Sequence, residues 1–547
     1  MLFIALKAGL LAAFLYYIVW ERVIKLYYIY WYYRSQGIPT VGFPLPVVGN
    51  LPLFLKSLYG MTAKSKTPLE DYFTAVFGPG KLPPLFLDMR HPKGILVVTG
   101  PQYVDELYIG KNKYFDKDEK ERRVYYGWFG DSIFHAKSDH IWLEQRKHLA
   151  AAFYKEKMNL MLKIMIGVTN QRVQKWLKDY GTGVERPDVS MTLEFSDLIA
   201  DSDLAAVFGV RSIQHKLRYH HWGEQMDVTI GKMLKMLGGR YLSRVYHPLR
   251  NMFDCFDMMD ITSEERENNG NVQRFKEHVR SLIDDRRREM KQPGFNLKGS
   301  FDFLTQLLSD DMYKDNDKMM MDECLTFIGA ATQTTTFLLS NVVYYMMKNP
   351  EVLIKAKAEI KANLFSRLPK GASLTEDGVW ENLLLSEENV DTLPYMLQCI
   401  YETLRIESSA TISSAVRLTE TLPVLDKTIR SDTSIMIGIH RLHTNPDQWP
   451  EPHRYIPDRF NPESPHYLTN EGKRRHAMSF GPFLGGKRVC LGKTFAEHVM
   501  KSILPIIIAQ VGLEIPAHSD IAGDIKPALN HFSGQPPYIV KMTPINL

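Results

Sequence analysis

The chain has 547 residues, of which 45% are hydrophobic and 24% charged, a balance that suits a large folded body with an ample core. Its net charge of +5 is scattered rather than gathered into a basic arm, which argues against nucleic acid as a partner. Four cysteines (Cys255, Cys324, Cys399 and Cys490) lie far apart with no CxxC pair, which excludes the usual zinc and dithiol spacings and a disulfide framework.

Leu2 to Trp20 is apolar except for Lys7. Such a stretch is about long enough to cross roughly 30 Å of hydrocarbon as a helix, and a transmembrane anchor over 2–20 is expected. Glu21, Arg22 and Lys25 follow, and then an aromatic run from Tyr27 to Tyr33. Positive charge directly after the span places the remaining chain in the cytosol, and the aromatic run suits the membrane interface. The alternative is a cleaved signal peptide, but no small-residue cleavage site follows the apolar stretch. From Gly37 to Asn50 three prolines block helix, so 21–50 reads as an interfacial segment and hinge ahead of a catalytic body over 51–547.

Within the body helical patterns dominate. They run over Gln171–Leu177, Arg274–Met290, Met319–Lys348, Glu351–Leu364, Tyr395–Ile406 and Thr494–Val511. Strand-like pieces are short, at Gly94–Thr99 and Ser434–Ile439. Ser263–Asn271 and Arg367–Val390 read as surface loops. The expected fold class is mainly α with small β-sheets and a single large domain.

Several patterns along this body carry chemistry. The aromatic stretch Tyr125–Phe134 reads equally as pocket lining or as surface packing. Trp142 and Arg146 are four apart and share a helix face, where both offer donors. Gly329 to Thr336 places a run of small and hydroxyl residues inside the long 319–348 pattern. A Thr hydroxyl bonded to the backbone there can bend the helix and open space beside it. Glu402 and Arg405 form an ExxR pair on an amphipathic helix, although the same spacing also begins at Glu119, Glu277, Glu451 and Glu471.

The sharpest feature is Pro482 to Gly492, which fits F-x-x-G-x-R-x-C-x-G at Phe483, Gly486, Arg488, Cys490 and Gly492. A helix begins just after Cys490, and its amides and dipole favour a thiolate. Glycines at 486 and 492 allow tight turns and close approach to a flat macrocycle. With this segment the sequence resembles the cytochrome P-450 family, membrane-anchored microsomal type. The resemblance covers about residues 35 to 540 and is vague from 155 to 315, where a substrate pocket would be lined.

The resemblance implies haem b held by the Cys490 thiolate. It implies Trp142, Arg146, Arg488 and, with less support, Arg417 as propionate partners, and Phe483, Gly486 and Gly492 as the shell around the thiolate. Glu402 and Arg405 become the family's structural ExxR pair. Tyr455 to Phe460 resembles the segment that supplies a third member, Arg459, with Asp458 where Glu is commoner. His440-Arg441 and Trp449 to Pro452 also resemble the family. By the same resemblance Thr334 is expected to direct proton delivery on the distal side. Two departures stand out, Ala331 in place of Gly and Gln333 in place of an acid; an amide holds water but does not relay protons as a carboxylate does.

The implied activity is NADPH- and O2-dependent hydroxylation or epoxidation of a lipophilic small molecule by a monomeric monooxygenase in the endoplasmic reticulum membrane. Electrons would come from a flavoprotein NADPH reductase, with cytochrome b5 as a second donor. Lys473, Arg474, Arg475, Lys487 and Lys493, with Arg146 and Lys147 nearby, form the expected basic docking face. Two alternatives remain. One is a peroxide-rearranging haem enzyme that needs no reductase, which Gln333 favours slightly. The other is a haem-binding protein without turnover.

Overall fold

The computed structural model describes residues 2–60, 68–78, 80, 82–181, 186–209, 216–245, 247–296, 302–385, 392–519 and 538–545. The molecule is mainly helical with small sheets, as expected. The helical patterns read from the sequence appear as Lys155–Tyr180, Ser263–Met290, Asp317–Lys348, Pro350–Asn363, Pro394–Ile406 and Lys493–Gln510. The largest sheet has five short strands in the order Leu85–Asp88, Ile95–Val98, Ser434–Ile437, Val416–Leu418 and Phe115–Lys117. Ile95–Val98 pairs in parallel with Ser434–Ile437, and the other pairings are antiparallel.

Asp317–Lys348 runs through the core (the long helix below). Leu339, Val342 and Met346 pack into one apolar cluster, and Met320, Leu325 and Ile328 into a second. Met191–Phe208 is buried on nearly all sides and lies against it. A helix apolar all round belongs in a core, which explains why its weak periodicity gave no clear signal in the sequence.

The stretch Ser263–Asn271, expected as a loop, is the start of a helix. The Thr262 hydroxyl accepts from the Glu265 N–H, and the Glu265 carboxylate accepts from the backbone of Thr262, a reciprocal cap. Its many polar residues masked the cap. The expected loop at 367–390 contains a short helix, Val379–Leu384, which buries Trp380; residues 386–391 lie outside the described residues.

The N-terminal segment differs from expectation in three ways. The aromatic run belongs to a helix, Lys25–Arg34, that packs on the five-stranded sheet. Tyr30 and Tyr33 are buried, and the Tyr33 hydroxyl donates to Thr433 Oγ1 at 2.8 Å, whereas Tyr28 and Trp31 stay exposed. Arg22, expected as a free interfacial charge, is buried against Asn251 and Phe253. The proline-rich stretch is pinned rather than hinged: the Val41 and Leu87 backbones bond at 2.9 and 2.8 Å through Leu87 and Pro39 carbonyls, and Asn50 N–H donates to Met89 O. Leu2–Val19 is helical, but the side chains of residues 2–5 and 8 lie outside those described. Among the described residues no helix is long and apolar enough to cross a membrane.

Candidate functional site

The helix His140–Ala150 starts at Asp139, whose carboxylate accepts from the Trp142 N–H at 2.9 Å. That cap fixes the first turn and sends Trp142 inward. Trp142 is buried, and its indole N–H donates to the Ile133 carbonyl at 2.9 Å. The expected donor is therefore already engaged by protein. Arg146, one turn on, donates to the Val489 carbonyl at 2.7 Å, so this helix and the cysteine segment are clamped together. Burial lowers the Arg146 pKa, and nearby Cys490 opposes that shift.

Arg488 is almost enclosed. Its guanidinium reaches Ser138 Oγ at 2.7 and 3.0 Å, the Ile133 carbonyl at 3.1 Å, the Ala136 carbonyl at 2.5 Å and Asp116 Oδ1 at 3.3 Å. Burial pulls its pKa down to about 10, with Asp116 resisting. The five donors of a planar fork suit this role, which a lysine could not fill. Asp116 and Ser138, which hold Arg488, were not singled out from sequence. They sit on a short strand and a loop with no periodic signature.

Arg417 pairs with Asp118 at 3.1 Å across the edge of the sheet, with its Nε buried and unpartnered. Phe483 packs against the main core, and its carbonyl accepts from the Cys490 N–H at 3.0 Å. Gly486 has φ +63, and a Cβ there would overlap the Tyr108 carbonyl and Asn112. It serves close approach of protein to protein, not to a macrocycle. Gly492 has an ordinary φ of −85, and a Cβ there would only touch the Cys490 sulfur, at 4.0 Å from Sγ.

Cys490 is exposed, while Cys324 and Cys399 are buried. Surrounding protein still raises its thiol pKa, while the Gly492 N–H and Arg146 pull it back. The expected helix-terminal stabilisation is thus present but does not by itself overcome burial. Next to it, Leu491 packs against the cluster that contains Ile328 of the long helix. In that helix Ala330 is exposed although Ile328 and Gly329 are buried. Ala330, in the middle of a core helix, and the Cys490 sulfur, next to a leucine packed on the same cluster as Ile328, are thus both left uncovered by protein.

Thr334 lies one turn beyond Ala330, and its hydroxyl donates to the Ala330 carbonyl at 2.8 Å. The helix nonetheless runs unbroken from Asp317 to Lys348, so the anticipated bend is not realised as an interruption. Gln333 turns away. Its amide N–H donates to the Leu234 carbonyl at 2.7 Å and presses on Gly238, where a Cβ would overlap it. It ties the long helix to Ile230–Val245 and is not placed as a distal relay. The buried Asp203, missed in the sequence, accepts from Thr332 Oγ1 at 2.7 Å and is pushed up by burial to about 7.

Glu402, Arg405 and Arg459 come together as one buried cluster. Arg405 grips Glu402 with two contacts of 2.8 Å, and Arg459 Nε reaches the same carboxylate at 3.2 Å. Arg405 also donates to the His443 and Pro452 carbonyls, which fixes the chain leading to the cysteine segment. Arg475 belongs to this structure rather than to an exposed basic face, donating to the Arg459 and His466 carbonyls and lying over Trp449. Tyr125–Phe129 is helix, with Trp128 buried, and Phe134 is exposed.

The family model described as Cytochrome P450 matches residues 39–542. The chain belongs to the cytochrome P450 family. Its relatives include Cytochrome P450 4A10 of Rattus norvegicus, 26% identical over 435 residues, covering 77% of this chain and 76% of that protein. Leukotriene-B4 omega-hydroxylase 3 of Mus musculus is 26% identical over 511 residues, 90% of this chain and 87% of that protein. Cytochrome P450 4F1 of Rattus norvegicus is 27% identical over 493 residues, 86% and 84% of the two chains. As a P450 this chain is a haem-binding monooxygenase, an oxidoreductase that incorporates oxygen into substrate. The residues present fit that cofactor: Cys490 offers an uncovered soft sulfur ligand, Ala330 leaves the long helix uncovered, and Arg146 is a cation bonded to the cysteine segment.

Proposed function

We propose that this P450 hydroxylates a lipophilic, chain-like substrate at a haem held by Cys490. One observation carries the reading. The only exposed stretch of the Ile328–Gly329–Ala330 turn and the open Cys490 sulfur border the same packed cluster, with Arg146 and Arg488 locking the cysteine segment. Bound haem would supply the reductive activation of dioxygen and the oxidation of substrate.

The chain's own residues then have distinct tasks. Arg146 would face the acidic edge of the cofactor, with Arg417, paired to Asp118, as a second candidate. Arg488 and Trp142 hold the wall behind it. Thr334, whose hydroxyl donates to the Ala330 carbonyl, would turn that O–H toward bound water and pass one proton on while its oxygen takes another from a second water. Glu402, Arg405 and Arg459 fix the peptide that carries Cys490. Relatives named for leukotriene and taurochenodeoxycholic acid hydroxylation point to an amphipathic acid with a long apolar body as substrate. Exposed Arg474 and Lys493 and half-buried Lys487 are the basic positions offered to an acidic reductase, with cytochrome b5 as a second donor. Leu2–Val19, whose described apolar side chains are exposed apart from half-buried Ile18, is read as the anchor of a monomer in the endoplasmic reticulum membrane.

The test is the visible absorption of the reduced, carbon-monoxide-bound protein beside Cys490→Ala, followed by NADPH-driven turnover with fatty acids and eicosanoids. A strongly red-shifted Soret band lost in Cys490→Ala, with hydroxylated product, is expected. A band typical of histidine ligation that survives the substitution would overturn the reading.

A further inference from the structure

Between the buried helix Met191–Phe208 and Ile230–Val245 the chain forms a two-stranded hairpin, Lys216–His221 and Glu224–Thr229. Its turn is Trp222-Gly223, both with positive φ, +53 and +80. Two-residue hairpin turns of this kind favour Asn, Asp or Gly at the first position. A tryptophan there is disfavoured twice, by its left-handed backbone and by an indole left 69% exposed. Strain held at an exposed position points to use.

The tip is held firmly. The N–H groups of Trp222 and Gly223 donate to the two oxygens of Glu267 at 2.9 and 3.0 Å. Behind the tip, His220 and Asn271 exchange backbone-to-amide bonds of 2.8 Å in both directions. Going from 220 to 222 along the hairpin thus moves from 271 to 267 along Ser263–Met290. The tip is aimed at the N-terminal end of that helix, which follows directly on Met258 and Met259. Those two methionines are 58% and 54% exposed. The same 249–259 segment touches the end of the N-terminal helix, since Arg22 donates to the Asn251 carbonyl and lies over Phe253. The tip, the methionines and the exit of the apolar helix therefore lie at one end of the molecule.

We propose that Trp222 is a second membrane contact, an indole set into the lipid interface by a clamped hairpin beside the N-terminal anchor. The proposal rests on the anchor reading above for its geometry. An indole pairs an apolar ring with one N–H donor and suits the headgroup boundary. Met258 and Met259 extend the same apolar end with flexible side chains that adapt to lipid. Glu267 is the positioning residue: its carboxylate takes both turn N–H groups, so the turn that carries the indole is fixed.

The experiment reconstitutes the full chain in phosphatidylcholine vesicles with plain or brominated acyl chains and compares its tryptophan emission with that of Trp222→Phe. The difference between the two proteins isolates one of eight tryptophans. In brominated vesicles that difference should lose most of its intensity, and in plain vesicles it should be blue-shifted relative to detergent. Equal difference emission in both vesicle types would overturn the proposal and leave the tip to a protein partner. Alkaline carbonate extraction separates the two readings. A chain that resists extraction while Trp222 stays unquenched keeps its anchor and loses this contact. A chain that is extracted, yet shows Trp222 quenched at neutral pH, keeps the contact and loses the anchor.

Discussion

Arg488 lies over Trp142, with its guanidinium carbon 4.0 Å from the ring centroid. Both groups also bond to one carbonyl, that of Ile133. The arginine two residues before the thiol and the tryptophan of the 140–150 helix thus act first on each other and on the 133–138 loop. A cation on an indole face, largely desolvated, is worth about 2 kcal/mol, before its hydrogen bonds are counted.

Arg488→Lys should therefore do more than weaken cofactor binding. A lysine keeps the charge but cannot reach Ser138, Ile133, Ala136 and Asp116 together. Leaving buried partners unmatched should cost about 3–5 kcal/mol. Denaturant unfolding of the haem-free and haem-loaded protein checks this. Loss of haem affinity with unchanged haem-free stability would show that the arginine serves the cofactor alone.

Glu402→Gln should be the most damaging single substitution outside the cysteine segment. It keeps size but removes the charge that Arg405 and Arg459 share in a fully buried setting. Two uncompensated buried guanidiniums should cost about 3–5 kcal/mol, seen as a fall in unfolding midpoint and in the yield of folded protein. Glu451→Gln, at an exposed pair with Arg454, should change stability by less than about 0.5 kcal/mol.

Gln333→Asp, which restores the acid usual at that position, should not improve turnover. The Gln333 amide donates to the Leu234 carbonyl, and a carboxylate there would meet an acceptor with an acceptor. Thermal unfolding should show a loss of about 1–3 kcal/mol. Thr334→Val should act differently, leaving stability nearly unchanged while lowering product per NADPH by up to about 10²-fold. Thr334→Ser should retain most coupling.

Stability should fall on the acid side through His443. Its ring accepts from the Gly481 N–H at Nε2 and contacts the Leu404 carbonyl at Nδ1, so the neutral form fills both bonds. Burial pulls its pKa down to about 3. The unfolded chain takes up the proton near pH 6.5 and the folded one does not, so stability is full above about 6.5 and drains as pH falls toward 3, by about 1.4 kcal/mol per unit. Urea midpoints between pH 7 and 5 should decline for the wild type, and less steeply for His443→Gln. Buried His91, pulled down to about 4, adds a similar slope.

Much of this was legible in the chain, and the reasons differ by residue. Cys490, Glu402, Arg405 and Arg459 sit in fixed local patterns, so their clustering could be anticipated. The long helix was legible from its 3.6-residue period. Asp116, Ser138 and Asp203 were not, because each acts through a partner far along the chain and carries no pattern of its own. Arg22 and Tyr33 were misjudged because an apolar and aromatic run reads the same whether it faces lipid or a sheet. Gln333 was read by alignment to an acid, and sequence cannot say which way an amide turns.

Gly486 must fit beneath the Tyr108 carbonyl, and the Lys487 N–H takes Asn112 Oδ1 at 2.7 Å across 375 residues. During synthesis the cysteine segment leaves the ribosome near the end, yet the surface it docks on is made near the beginning. The long separation makes this closure a late and slow event in folding. Until it happens the turn before Cys490 lacks its partner surface, so the cofactor site is completed only with that closure.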